Sequence, residues 1–240
     1  MAFRLLSKLV LAATIITGLT NASPLPAEVS VERRSPGTVT NPSTPVQMGP
    51  SGSWPRVTRL YYSDQSLLGA YEYVEGSDKV LRVVKSTNEG QSWTLIGEVA
   101  RRPAAGSDLA NPMPLQLQSG RIVLAFRNHD MSGNSYTQYR LTMCYSDDGG
   151  VTWKFLSTII ERTATATKNG LWEPYLRLAR DGTLQVYYSA ENNDGDQDNF
   201  MKYSKDGITW SGQQNVSGGD RTSRDGMTGV APINDAGKCM

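Results

Sequence analysis

The 240-residue sequence has little of three things, and each shortage narrows its class. Cysteine occurs only twice, as Cys144 and Cys239, and one pair at that spacing is not a disulfide framework. Cys144 falls in an apolar run, residues 141–145, where a buried unpaired thiol is expected. Net charge is almost absent, +1 formally, which supplies no long-range attraction to nucleic acid or to an anionic membrane. Apolar residues spaced i, i+3, i+4 are missing from the repeating segments described below, which argues against a helical repeat.

Long hydrophobic runs are also scarce. Arg4 and Lys8 precede the one conspicuous run, residues 9–19, and Thr20-Asn-Ala22 offers small residues behind it. A membrane-spanning helix needs about 20 apolar residues, so residues 1–22 read as a secretory signal peptide and the protein as secreted and extracellular. Pro, Ser, Thr and Val dominate residues 23–50, expected to be a linker or pro-segment, with Arg33-Arg34 as a dibasic processing pair. Asn215-Val-Ser217 is a glycosylation sequon, which places its loop on the surface.

What is plentiful is turn chemistry, with 23 glycines among many Tyr, Thr and Ser. Three segments share one pattern: Ser86-Thr-Asn-Glu-Gly-Gln-Ser-Trp93, Ser146-Asp-Asp-Gly-Gly-Val-Thr-Trp153 and Ser204-Lys-Asp-Gly-Ile-Thr-Trp210. Asp or Asn can bond backbone ahead of itself, Gly supplies positive φ, and the Trp can pack beneath the turn. The serines recur at intervals of 60 and 58 residues, a repeat signature. Upstream of each lies a hairpin pattern: residues 56–60 with 66–73, 114–117 with 121–126, and 175–178 with 184–188. Four strands per unit describe blades of a β-propeller, at residues 54–100, 109–160 and 171–216. Residues 224–240 read as the start of a fourth blade, with 227–233 its opening strand, and the whole of 51–240 as a partial propeller.

Naming the strands of a blade A to D from the axis outward puts A-strand starts and B-strand ends on one face. The Asp-containing turns then lie on the other, so Asp147, Asp148 and Asp206 are structural rather than metal ligands. The first face collects Arg56, Asn111, Trp172, Glu173, Arg224 and Asp225 just before A strands. It also collects Arg127, His129, Tyr188 and Glu191 at or near B-strand ends. Glu173, between Trp172 and Pro174, is placed for partial desolvation, the condition for a general acid at neutral pH. Trp172 could give a sugar ring a flat platform. Asp194-Gly-Asp-Gln-Asp198 begins like a calcium loop, but Asn199 and Lys205 stand where Gly and Glu are needed, so it reads as a solvated loop. No feature calls for a metal, nucleotide or redox cofactor.

The three turns resemble the Asp boxes of sialidase-type propellers. Trp54-Pro-Arg56, Asn111-Pro-Met-Pro114, Leu171-Trp-Glu-Pro-Tyr175 and Arg224-Asp-Gly-Met-Thr-Gly-Val-Ala231 resemble fungal glycoside hydrolase family 93, the exo-arabinanases. The resemblance implies a six-bladed all-β propeller that releases arabinobiose from α-1,5-linked arabinan with retention of configuration, and a monomer if complete. It also implies two catalytic glutamates, one matched by Glu173, with acid/base the favoured role. Glu173 and Glu191 are 18 residues apart, and the same offset from Thr228 falls past Met240, where the second carboxylate is expected. The 240-residue chain is therefore expected to be weakly active or inactive. Two other readings stay open: a sialidase using Arg56, Arg127 and Arg224, and a carbohydrate-binding propeller without turnover.

Overall fold

The structure, a computed structural model, describes residues 44–231. Residues 1–22, Arg33-Arg34, Cys239 and the end of the expected fourth blade lie outside the described residues. Twelve strands form three four-stranded antiparallel meanders. The first holds β1 (Ser53–Arg59), β2 (Leu67–Glu75), β3 (Asp78–Ser86) and β4 (Thr94–Pro103). The second holds β5 (Ser107–Gln116), β6 (Ile122–Ser132), β7 (Ser135–Ser146) and β8 (Lys154–Thr163). β9 (Leu171–Leu178), β10 (Leu184–Asn193), β11 (Asp196–Ser204) and β12 (Gln214–Ser217) make the third. No helix of the described residues is long and apolar enough to cross a membrane.

The middle sheet is buried on both faces, and its sequence shows why. Along β6, Ile122, Leu124 and Phe126 pack toward the first sheet, while Val123 and Ala125 pack toward the third. A strand alternates its side chains, so a continuous apolar run is what two covered faces require. Leu60, Leu68, Ala70, Leu81 and Val83 answer from the first sheet, and Leu171, Leu176, Leu184, Val186 and Tyr188 from the third. The opening strands come together, β5 against β1 and β2, and β9 against β5 and β6.

The Asp-containing turns join the third strand to the fourth, as expected, and their hydrogen bonds explain the spacing. Ser146 Oγ donates to Asp148 Oδ1 (2.7 Å) and accepts the Gly150 N–H (2.9 Å), while Asp148 accepts the N–H of Val151 (3.1 Å) and Thr152 (2.9 Å). Ser86 with Asn88 and Ser204 with Asp206 repeat the scheme. The Thr152 hydroxyl and backbone and the Ser146 hydroxyl hold the Asp148 carboxyl well below its ordinary range. The tryptophan reaches beyond its own turn. Trp153 packs on the first sheet, against the group that includes Leu68 and Val83, and Trp210 Nε1–H donates to Ser157 Oγ of the second at 3.1 Å. The second and third turns thus space their sheets from the preceding ones.

Three expectations change. The opening strands begin earlier than the hairpin pattern suggested, because the X-Pro pairs interrupt the ladder as bulges instead of ending the strand. Residues 127–130 lie within β6, closed by a tight Gly133-Asn134 turn, rather than in a loop. Residues 227–231, the described part of the expected strand 227–233, form no strand; among the described residues the one isolated bridge just before them joins Gln197 with Arg224. Asn215 is exposed on the edge strand β12. The segment before the first sheet is not wholly apart from it: Gly49 and Gly52 lie so close to Tyr71 that a side chain at either would collide with its ring.

Candidate functional site

The innermost strands share one irregularity. Trp54, Asn111 and Glu173 have left-handed φ values of 54°, 51° and 54°, and each precedes a proline. At each, two residues of the inner strand oppose one of the next: Trp54-Pro55 opposite Tyr71, Asn111-Pro112 opposite Phe126, Glu173-Pro174 opposite Tyr188. A non-glycine residue in this conformation costs about 1 kcal/mol, and bulges of this kind re-aim a side chain. Strain repeated at equivalent places, with side chains as different as Trp, Asn and Glu, makes this end the candidate site. Met227, φ 55°, continues the series without a proline behind it.

Tyr188 is therefore corrected from ligand contact to core. It is fully buried opposite its bulge, as Tyr71 and Phe126 are opposite theirs, and burial raises its phenol pKa. His129 is corrected too. It has no exposed surface; Nδ1 accepts the Arg140 N–H (2.9 Å), so Nε2 carries the proton and donates to Leu171 O (2.9 Å). Burial first, then the Arg127 charge, pushes its pKa down to about 3. This neutral ring joins β6, β7 and β9.

Around His129 the aromatic rings of Tyr136, Tyr139 and Trp172 meet at centroid distances of 5.0 to 5.8 Å. Trp172 lies over Gly170, where any side chain would strike the indole, and the Arg127 guanidinium sits 5.1 Å from its ring centre. Arg127 also pairs with Asp108 at 3.0 Å. Asp108, nearly buried, takes Lys79 at 2.8 Å and the Tyr136 hydroxyl at 2.9 Å; Lys79 reaches back to Glu72 at 3.2 Å. Burial works against the Asp108 charge, but Arg127, Lys79 and Tyr136 outweigh it and lower its pKa. This ladder crosses from the first sheet to the second. Nothing in the sequence marked Glu72, Lys79, Asp108 or Tyr136, because the contact joins strands far apart in the chain.

Several polar atoms at the same end are buried without a hydrogen-bond partner among the described residues. They are both amide atoms of Asn111, Arg127 Nε, Trp172 Nε1, Asp198 Oδ1 and Thr228 Oγ1. Buried polar groups are nearly always paired, so unpaired ones beside strained backbone suit a polar ligand. Glu191 differs: it is buried, with Oε2 accepting the Gly170 N–H (3.0 Å) and Oε1 paired with Arg224 (2.5 Å). The three candidate arginines are not brought to one carboxylate-binding cluster. Arg127 is held by Asp108, Arg224 by Glu191, and Arg56 donates to Pro55 O at 3.1 Å. Asp225 Oδ1 accepts from Ser223 Oγ at 3.0 Å. Asp198, expected in a solvated loop, is instead enclosed, accepting the side-chain amides of Asn192 and Asn215 at 3.0 Å each. Cys144 is a buried thiol whose pKa burial raises to about 11. A concavity of about 530 Å³, lined by Leu117, Ser119, Gly120, Arg121 and Asp147, is open and lies on the face of the Asp-containing turns.

No protein-family model matches the chain, and no curated protein matches it. Solved structures do. The Penicillium chrysogenum alpha-L-arabinanase complexed with arabinobiose is 25% identical with a TM-score of 0.59, over 74% of this chain and 53% of that one. The family 93 alpha-L-arabinofuranosidase of Fusarium graminearum with arabinobiose is 23% identical with a TM-score of 0.59, over 74% and 52%. The Fusarium enzyme with an iminosugar inhibitor matches at 22% identity and a TM-score of 0.59, over 78% and 55%. The chain spans about half the length of these structures. At this remote similarity its three sheets match part of a sialidase-like propeller.

Proposed function

We propose that the chain is part of a secreted glycosidase that acts from an end of α-1,5-linked arabinan, with Glu173 as acid/base and retention of configuration by a complete six-bladed enzyme. One observation carries the reading. Glu173 sits on a strained X-Pro bulge of an innermost strand, next to Trp172 and level with the unpaired amide of Asn111 on the neighbouring one. The likeness to structures complexed with arabinobiose supports arabinan over other glycans. Asn111, Arg127 and Trp172 would meet sugar hydroxyls with their unpaired polar atoms. Arg56, at the mouth of β1, would border the same site.

Retention requires two carboxyls about 5 to 5.5 Å apart, one protonating the leaving oxygen and one attacking the anomeric carbon. Glu191 is a poor second partner, since both of its oxygens are engaged. That observation favours a second reading for the residues described: oligosaccharide binding without turnover. The separated arginines count against a sialidase.

The test is hydrolysis of linear arabinan, and of a sialoside in parallel, by the purified chain and its Glu173→Gln variant, with arabinotriose binding measured on both. Any arabinan turnover should vanish in the variant while binding persists. Arabinan turnover that Glu173→Gln leaves unchanged, or cleavage of the sialoside alone, contradicts the proposal.

A further inference from the structure

Glu191 and Arg224 together build something more specific than a ligand contact. Besides Glu191, Arg224 reaches Gln197 Oε1 at 3.1 Å and Asp194 O at 3.2 Å. Backbone bonds reinforce the join: the Gln197 N–H donates to Ser223 O, and the Asp225 N–H to Gln197 O, each at 2.8 Å. Gln197 Nε2 also donates to Asp225 O. Residues 223–225 are thereby clamped to β10 and β11.

The next two residues meet Glu173. A Cβ on Gly226 would stand 3.2 Å from Glu173 Oε2 and 3.0 Å from Gln197 Nε2, so a side chain there would push both groups from the places they hold. Met227, turned by its φ of 55°, donates its N–H to Glu173 Oε2 at 2.6 Å. Beyond it, the Tyr175 hydroxyl donates to Val230 O at 3.1 Å.

We infer that Glu191 and Arg224 are positioning residues: they hold residues 223–227 so that the Met227 amide fixes the Glu173 carboxylate. A charge-assisted bond of this kind is short and directional, and it removes one of the two oxygens from rotameric search. The Glu191–Arg224 pair suits the task. Breaking it strands a buried carboxylate, so the clamp is held against a penalty that an exposed pair would not carry. The inference rests on the reading of Glu173 as the acting carboxyl. It explains why Glu191, on the face with Glu173, is spent on an arginine.

The experiment uses the full chain labelled with 15N-methionine. Amide exchange of Met227 is followed in Glu191→Gln, Gly226→Ala and Glu173→Gln, with Met113 and Met143 reporting an intact fold. Loss of a hydrogen bond to a charged group should lower Met227 protection at least about tenfold in all three, and shift its amide proton upfield. Arg224→Lys, which keeps the charge, should restore part of the protection that Arg224→Ala loses. Met227 protection unchanged in Glu191→Gln and Gly226→Ala, with Met113 and Met143 unmoved, overturns the inference. Should Glu191→Gln unfold the chain, Gly226→Ala decides, because Gly226 is exposed. If protection falls as expected but the chain hydrolyses arabinan at a measurable rate that Glu173→Gln leaves unchanged, the clamp stands and the arabinanase reading fails.

Discussion

Asn111 and Glu173 occupy the same place in adjacent sheets, each preceding a proline, each at left-handed φ (51° and 54°), each two-against-one opposite a buried aromatic. One presents an amide with no partner among the described residues, the other a carboxylate held by a backbone N–H. The strain is common to both; only the chemistry differs.

Asn111→Gly should separate stability from binding. Glycine relieves a strain of about 1 kcal/mol and removes a buried unpaired amide, at the expense of some packing. The unfolding free energy in urea is expected to hold or rise by about 1 kcal/mol, while arabinotriose affinity falls roughly tenfold. A large loss of stability would mean that the amide serves the fold.

Trp153→Ala should do the reverse. The ring fills the seam between the first two sheets, and emptying such a site costs about 3 kcal/mol. A urea midpoint that drops without any change in oligosaccharide affinity is the expected result, since the turn and the site lie on opposite faces.

His129 predicts an acid sensitivity with a definite window. Its folded pKa, about 3, lies below the ordinary 6.5 of an unfolded histidine, so the unfolded chain binds the extra proton between these values. Its contribution is complete above pH 6.5 and is lost as pH falls toward 3. Between pH 7 and 5, where ordinary carboxylates do not titrate, stability should fall by about 2 kcal/mol. His129 is the only histidine in the sequence, so His129→Gln should flatten that slope in urea titrations at each pH.

Much of the fold was legible because the Asp-containing turn repeats its chemistry locally: Ser, Asp or Asn two residues on, and a Gly within reach of the serine oxygen. Counting those turns and the hairpins before them gives the strand plan and its two faces. The site was legible only in part. Asn111 and Glu173 stood out as residues just before inner strands expected at 114–117 and 175–178, but those strands begin earlier and bulge at Pro112 and Pro174. Pro55, Pro112 and Pro174 together were the available signal for a shared bulge. His129 and Tyr188 were misread because polarity along one strand does not report burial by a neighbouring sheet. The Lys79–Asp108 contact and the Met227 bond to Glu173 join residues 29 and 54 positions apart, which no local pattern encodes.

The central claim is that sugar binds at the end where Asn111 and Glu173 meet the axis. The direct measurement is a 1H–15N titration of the uniformly labelled chain with arabinotriose. Shifts should gather at the amides of Asn111, Arg127, Glu173 and Met227 and spare residues 146–153. Shifts confined to residues 146–153, or none at saturating sugar, would contradict it.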